Sequence, residues 1–250
     1  MLMTRATFYK VLLLLLCMAI LQSGYFYLVL NNEITMYNGK EISMDLPSSL
    51  PENLIENAHI PLFFGIAFIL LTFILCRSWR ENGSRPGYTF RRLNVSEKYV
   101  MVCNAIYNAM CYGLLILVEI VITYLLCQMY MAQVSPERTS IQTIFLAFYR
   151  NDLLHSILPL DEVSGWIRNI IMVLCLGYAS ADFPYRRRYG NLGLNIIILT
   201  VMSLMFFISE VGLMGMDVFI CVVFLASAAE ITNFLINDNK EDDEHEIETY

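Results

Sequence analysis

Six nearly unbroken apolar runs constrain this sequence more than any other feature. They cover about residues 11–30, 59–76, 100–131, 166–181, 192–211 and 218–236. A hydrocarbon core of about 30 Å is crossed by roughly 20 helical residues, and backbone amides in lipid must be paired within their own segment. Only 16% of the 250 residues are charged, against about a quarter in soluble domains. We therefore predict an all-α, multi-pass membrane bundle of six transmembrane helices within residues 1–237.

The first run has two interpretations. Arg5 and Lys10 precede it, as basic residues precede the apolar part of a signal peptide. However, the run continues past Gly24 to Leu30, and no small-x-small cleavage site follows. We interpret it as an uncleaved first helix.

Lysine and arginine predict the orientation, because short cytoplasmic loops carry an excess of both. With the N-terminus inside, the inner segments hold twelve of these residues and the outer segments hold four. The outer four are Lys40, Arg138, Arg150 and Arg168. This bias places both ends in the cytoplasm, including the acidic tail 238–250, which we expect to be solvated and disordered. No basic face for nucleic acid is present.

The third run, 100–131, carries polar residues on one helical face. At 100° per residue they span roughly 100° of arc, and they are Asn104, Asn108, Tyr112, Glu119 and Thr123. A charge such as Glu119 inside a membrane helix costs about 2.5 to 3.5 kcal/mol on insertion scales, so it must face protein or water. Two interpretations stay open: a translocation path, or a hydrogen bond to another helix.

Residues 132–164 form the second long outer segment after 31–58, which is predicted as a loop. Ser135-Pro136-Glu137 is typical of a helix start, and apolar residues then recur at helical spacing up to Pro159. We predict an amphipathic helix in the membrane interface over about 141–158.

The acids near the last two helices have ordinary interpretations. Glu210 and Asp217 flank the fifth-to-sixth turn, and we expect both to be solvated at the outer surface. Small residues at 226–229 precede Glu230, which is typical of close helix packing.

The cytoplasmic loop 77–99 contains the most informative motif. Its segment 88–98, YTFRRLNVSEK, resembles the segment between the second and third helices of ABC-2-type transporter permeases, where a Leu-(Pro)-Val-Ser motif opens a long helix. Asn94 stands where that family often has proline. Segments 145–160, 166–170 and 183–190 are also similar to permease-like proteins of Gram-positive bacteria.

The resemblance implies a membrane subunit of an ABC exporter that works by alternating access. A separate ATP-binding subunit would bind ATP and Mg²⁺ and dock on this loop, and a second permease chain, identical or different, would complete the complex. The implied docking residues are Arg91, Arg92, Leu93, Val95, Ser96 and Glu97. The implied location is the bacterial cell membrane.

Catalytic motifs are missing from the sequence. It contains no phosphate-binding GxxxxGK[ST] loop and no HExxH zinc motif, and its three histidines fall in separate segments. We therefore expect no enzymatic activity, cofactor or metal in this chain itself. The alternative to a permease is a membrane immunity, sensor or scaffold protein that uses the outer amphipathic segment. An ion-coupled transporter is a third option, although no inverted repeat is visible.

Overall fold

The structure, a computed structural model, describes residues 2–38, 51–77, 97–133, 141–160, 162–188, 193–208 and 214–248. Within these ranges the chain forms helices and no strand. In chain order they are α1 (Leu2–Asn38), α2 (Pro51–Asn57), α3 (Ile60–Arg77), α4 (Glu97–Gln133), α5 (Ile141–Arg150), α6 (Asp152–Ile157), α7 (Val163–Arg188), α8 (Asn195–Ile208) and α9 (Met214–Glu248). The predicted all-α class is confirmed for the described residues.

Five of the described helices are long and apolar enough to cross a membrane. Their apolar stretches are Thr7–Asn32 in α1, Ile60–Arg77 in α3, Lys98–Gln133 in α4, Val163–Arg187 in α7 and Met214–Ile236 in α9. The remaining predicted span contains α8, which is apolar but has only 14 residues. At 1.5 Å per residue, α8 rises roughly 21 Å, which is less than a hydrocarbon core of about 30 Å.

Several helices extend beyond their apolar runs. Helix α1 reaches Asn38, and α2 lies in the segment predicted as a loop. Helix α7 continues through 183–188, and α9 continues to Glu248 through the tail expected to be disordered. Hydropathy marks where a helix can contact lipid, whereas backbone hydrogen bonds continue the helix for as long as the local residues allow. The predicted ends were therefore too early.

The chain divides into two compact units, and each is described by itself. Unit 1 comprises Met1–Leu71, Gly113–Trp166 and Leu204–Gly212. Unit 2 comprises Thr72–Tyr112, Ile167–Ser203 and Leu213–Tyr250.

An aromatic cluster joins α3 to α8 in unit 1. The ring of Phe207 lies 5.6 Å from that of Phe64 and 6.1 Å from that of Phe68, both in edge-on geometry. All three side chains are fully buried. Edge-on aromatic pairs add about 0.5 to 1.5 kcal/mol to the effect of burial.

The predicted amphipathic helix of unit 1 consists of two helices, α5 and α6. The break is at Asn151, whose backbone is extended and whose Oδ1 accepts a hydrogen bond from the Leu154 amide at 3.2 Å. Asn151 therefore ends one helix and caps the next. Ser156 of α6 donates to the Phe206 carbonyl of α8 at 3.2 Å. The segment thus packs into unit 1 through α6, while Phe145 and Tyr149 of α5 remain exposed.

Helices α4 and α7 approach closely in unit 2. A Cβ atom added to Gly177 would lie 2.6 Å from the Ala109 amide nitrogen and 2.8 Å from the Ala105 carbonyl oxygen. Only glycine fits there, so the two backbones touch at this position. Small residues permit such contacts between membrane helices.

Candidate functional site

The polar face predicted for α4 is buried. Asn108, Tyr112, Glu119 and Thr123 are buried, and Asn104 is partly buried. Asn104, Asn108 and Tyr112 belong to unit 2, whereas Glu119 and Thr123 belong to unit 1. The structure therefore shows two polar clusters on α4, one in each unit.

The unit 1 cluster links α4 to α1 through Glu119 and Gln22. Gln22 Nε2 lies 3.1 Å from each carboxylate oxygen of Glu119 and donates to them. Neither side chain has exposed surface. Gln22 occupies the buried stripe of α1, between Met18 and Phe26, so helical periodicity points it at α4. The Thr123 hydroxyl donates to the Glu119 backbone carbonyl at 2.9 Å.

The unit 2 cluster surrounds the contact between α4 and α7. Asn108 Nδ2 donates to the Ser180 hydroxyl at 2.8 Å, and Ser180 in turn donates to the Gly177 carbonyl at 2.9 Å. The Tyr112 hydroxyl donates to Thr72 Oγ1 of α3 at 2.9 Å. Asn104 Nδ2 is buried without a hydrogen-bond partner among the described residues. These bonds correspond to the helix-to-helix interpretation of the polar face.

A buried ion pair lies between α7 and α9 of unit 2, which sequence reasoning missed. Arg168 Nη1 is 2.7 Å from Asp217 Oδ1, and the two residues are 1% and 3% exposed. Arg168 Nε and Nη2 both donate to Asn169 Oδ1 at 3.2 Å. The expectation of a solvated Asp217 was wrong. Both side chains are removed from solvent because each neutralises the other.

A signal for this pair existed in the sequence. Arg168 stands two residues inside the predicted fourth span, where a cation either extends to the interface or pairs with a carboxylate. Asp217 immediately precedes the predicted sixth span and is a candidate partner by depth. The pairing of helices was needed to choose Asp217.

A second charged cluster of unit 2 surrounds Arg186. Arg186 Nε lies 2.6 Å from Asp182 Oδ2 one turn earlier, and Nη1 donates to Glu230 of α9 at 3.2 Å. Its guanidinium also lies 4.6 Å from the centre of the Phe234 ring. Asn195 of α8 donates to Glu230 at 2.9 Å. These contacts explain why α7 continues to Arg188, beyond residue 181 where the predicted fourth span ends.

The predicted docking residues lie at the edge of the described chain. Arg91, Arg92, Leu93, Val95 and Ser96 lie outside the described residues. Glu97 is the first residue of α4. The last two residues of the segment 88–98, Glu97 and Lys98, therefore belong to α4.

The buried polar clusters of both units consist of ion pairs and hydrogen bonds. Within the described ranges, no group of three or more His, Cys, Asp or Glu side chains is placed to hold a metal ion. The arrangement can hold protons or compensate charges inside apolar helices.

No family model, no curated protein and no solved structure matches this chain.

Proposed function

We propose that the chain is a six-span protein of a bacterial cell membrane with both ends in the cytoplasm. Five long apolar helices and the shorter apolar α8 support six crossings. The excess of Lys and Arg in the segments assigned to the inside supports the orientation. Reporter fusions at residue 250 and at residue 45 test it. The account requires a cytoplasmic signal at 250 and an external signal at 45.

Within that membrane the chain acts as the permease subunit of an ATP-driven ABC transporter, as an exporter working by alternating access. The observation that carries this proposal is the start of α4. This 37-residue helix is described from Glu97, so the last two residues of the segment 88–98 that resembles the permease segment belong to α4. An ATP-binding subunit docked on residues 91–97 would therefore pull directly on α4, the helix that carries the buried polar clusters.

Buried polar groups inside apolar helices add support. Arg168 with Asp217, and Gln22 with Glu119, place polar or charged side chains in stretches long enough to cross a membrane. Ionisable residues in such stretches are costly and usually serve a function. A helix that must move between two arrangements can keep such groups compensated by exchanging partners.

Charge reversal of the docking segment tests the coupling. The double variant Arg91→Glu/Arg92→Glu should uncouple ATP hydrolysis from transport, measured on the complex purified from the native host and reconstituted in nanodiscs. The matched control is Arg80→Glu/Arg85→Glu, which makes the same charge change in the same loop outside the motif. Coupled hydrolysis and assembly that survive the first change would refute docking at residues 91–97.

A second candidate is a membrane immunity, sensor or scaffold protein. The observation in its favour is α5, where Phe145, Leu146 and Tyr149 remain exposed while Ala147 and Phe148 are buried. An exposed apolar side on a short helix fits contact with lipid or a peptide. This candidate needs no ATP-binding partner, and this requirement separates the two.

A further inference from the structure

The contact between Gln22 and Glu119 is incompletely satisfied. The carboxylate receives its hydrogen bonds from one amide nitrogen, Gln22 Nε2. Gln22 Oε1 is buried and accepts no hydrogen bond from the described residues. An ionised Glu119 would thus place a full negative charge against one neutral amide in an apolar helix contact, beside a carbonyl oxygen that lacks a donor. Both features are unfavourable in a medium without water.

Among the described residues of unit 1, no cation compensates a charge on Glu119. In the part of unit 1 that the structure describes, no Lys, Arg or His forms an ion pair with Glu119. His59 stacks on the ring of Tyr25, and His155 lies against the ring of Tyr149. The other charged side chains of the unit with described burial are exposed or partly exposed: Lys10, Glu56, Arg150, Asp152 and Glu162.

One proton would resolve both deficits. A protonated carboxyl has no charge and has one O–H donor. When the Gln22 amide turns about its Cγ–Cδ bond, this O–H can donate to Gln22 Oε1 while Nε2 donates to the other oxygen of Glu119. Such bonds have lengths of about 2.7 Å for O–H···O and about 2.9 Å for N–H···O. Gln22 Nε2 already lies 3.1 Å from both oxygens of Glu119, so the two side chains are in hydrogen-bond contact before the amide turns.

We propose that Gln22 and Glu119 form a proton-binding site inside the membrane, which joins α1 to α4 when Glu119 carries the proton. The paired acid and amide make two hydrogen bonds and expose no charge to the surrounding apolar side chains. Release of the proton leaves a carboxylate in that contact and weakens the packing of α1 on α4. The site is a property of unit 1 and does not depend on an ATP-binding partner.

Infrared spectroscopy of the purified chain in nanodiscs detects this proton directly, because the carbonyl stretch of a protonated carboxyl is separate from the bands of a carboxylate. At neutral pH, Glu119→Gln should remove the signal of one protonated carboxyl per chain. The matched control Glu162→Gln makes the same chemical change outside the helices and should leave that signal in place. Gln22→Leu should shift the band, because it removes the hydrogen bonds to the carboxyl.

A titration of the wild-type chain keeps the test independent of any variant's folding. The protonated-carboxyl band that Glu119→Gln removes should fall as the pH is raised, with matching growth of carboxylate bands. Identical spectra of wild type and Glu119→Gln in the protonated-carboxyl region would overturn the proposal. A carboxylate signal from Glu119 at neutral pH that changes on adding Na⁺ would also overturn it and assign the site to a cation.

Discussion

Substitution of Gly177 by alanine should separate α7 from α4. The new Cβ would lie 2.6 Å from the Ala109 amide nitrogen, 2.7 Å from the Ala109 Cβ and 2.8 Å from the Ala105 carbonyl oxygen. Ordinary contacts begin at 3.4 Å, so the two backbones must move apart by roughly 1 Å. These are mainly backbone atoms of a helix, so no side-chain rotation can relieve the overlap.

The cost can be estimated from the contacts that would be lost. Overpacking in a well-packed contact costs about 1 to 3 kcal/mol. The neighbouring bond from Asn108 to Ser180, at 2.8 Å, would stretch and lose about 0.6 kcal/mol, the average for hydrogen bonds between membrane helices. The total of about 2 to 4 kcal/mol corresponds to a fall in melting temperature of roughly 4 to 16 °C for a chain of this size.

The assay is thermal unfolding of the detergent-purified chain, followed by size-exclusion chromatography of the heated samples. Gly113→Ala and Gly215→Ala are matched controls, because a Cβ at either position meets nothing within 4 Å. Both should keep or raise the melting temperature, since alanine favours helix over glycine by about 1 kcal/mol. A Gly177→Ala protein as stable as these controls would refute the close contact between α4 and α7.

Three further changes test other contacts by the same assay. Asp217→Asn should destabilise the chain by about 3 to 5 kcal/mol, because it leaves the buried Arg168 charge without its carboxylate; an unchanged melting temperature would contradict the ion pair. Phe207→Ala should lower the free energy of unfolding by about 3 kcal/mol, which is the low end of the usual range because lipid also solvates an apolar ring. Phe219→Ala, on an exposed side of α9, should lower it little. Asn151→Ala should cost about 1 kcal/mol through the lost cap of α6, and Asn151→Ser should restore most of it; equal stability of the two variants would argue against a capping role.

The helical membrane fold was predictable because it depends on local composition. An apolar run of about 20 residues pairs its backbone groups in lipid by forming a helix. The helices predicted around 59–76 and 100–131 therefore lie nearly where α3 and α4 are observed. Helix ends were less predictable. Helix α7 continues to Arg188 where Arg186 finds Asp182, Glu230 and the Phe234 ring, and two of these three partners belong to a helix that comes much later in the chain.

The candidate site was predictable only in part. Helical periodicity placed Asn108, Tyr112 and Glu119 on one face of α4, and the structure buries all three. Their partners depend on which helices are neighbours, and periodicity contains no information on this. Gln22 is separated from Glu119 by 97 residues, and Arg168 from Asp217 by 49. The ion pair was missed for this reason.

Co-purification most directly tests the claim that this chain is the membrane subunit of an ATP-driven transporter. The tagged chain is extracted from its native host into nanodiscs or mild detergent, and mass spectrometry identifies and counts the proteins bound to it. The account predicts a stoichiometric ATPase with a phosphate-binding loop, which also co-purifies with the Arg80→Glu/Arg85→Glu variant and is bound less or is uncoupled in the Arg91→Glu/Arg92→Glu variant. Intact, folded protein that repeatedly purifies without any ATPase would contradict the account and favour the immunity, sensor or scaffold candidate.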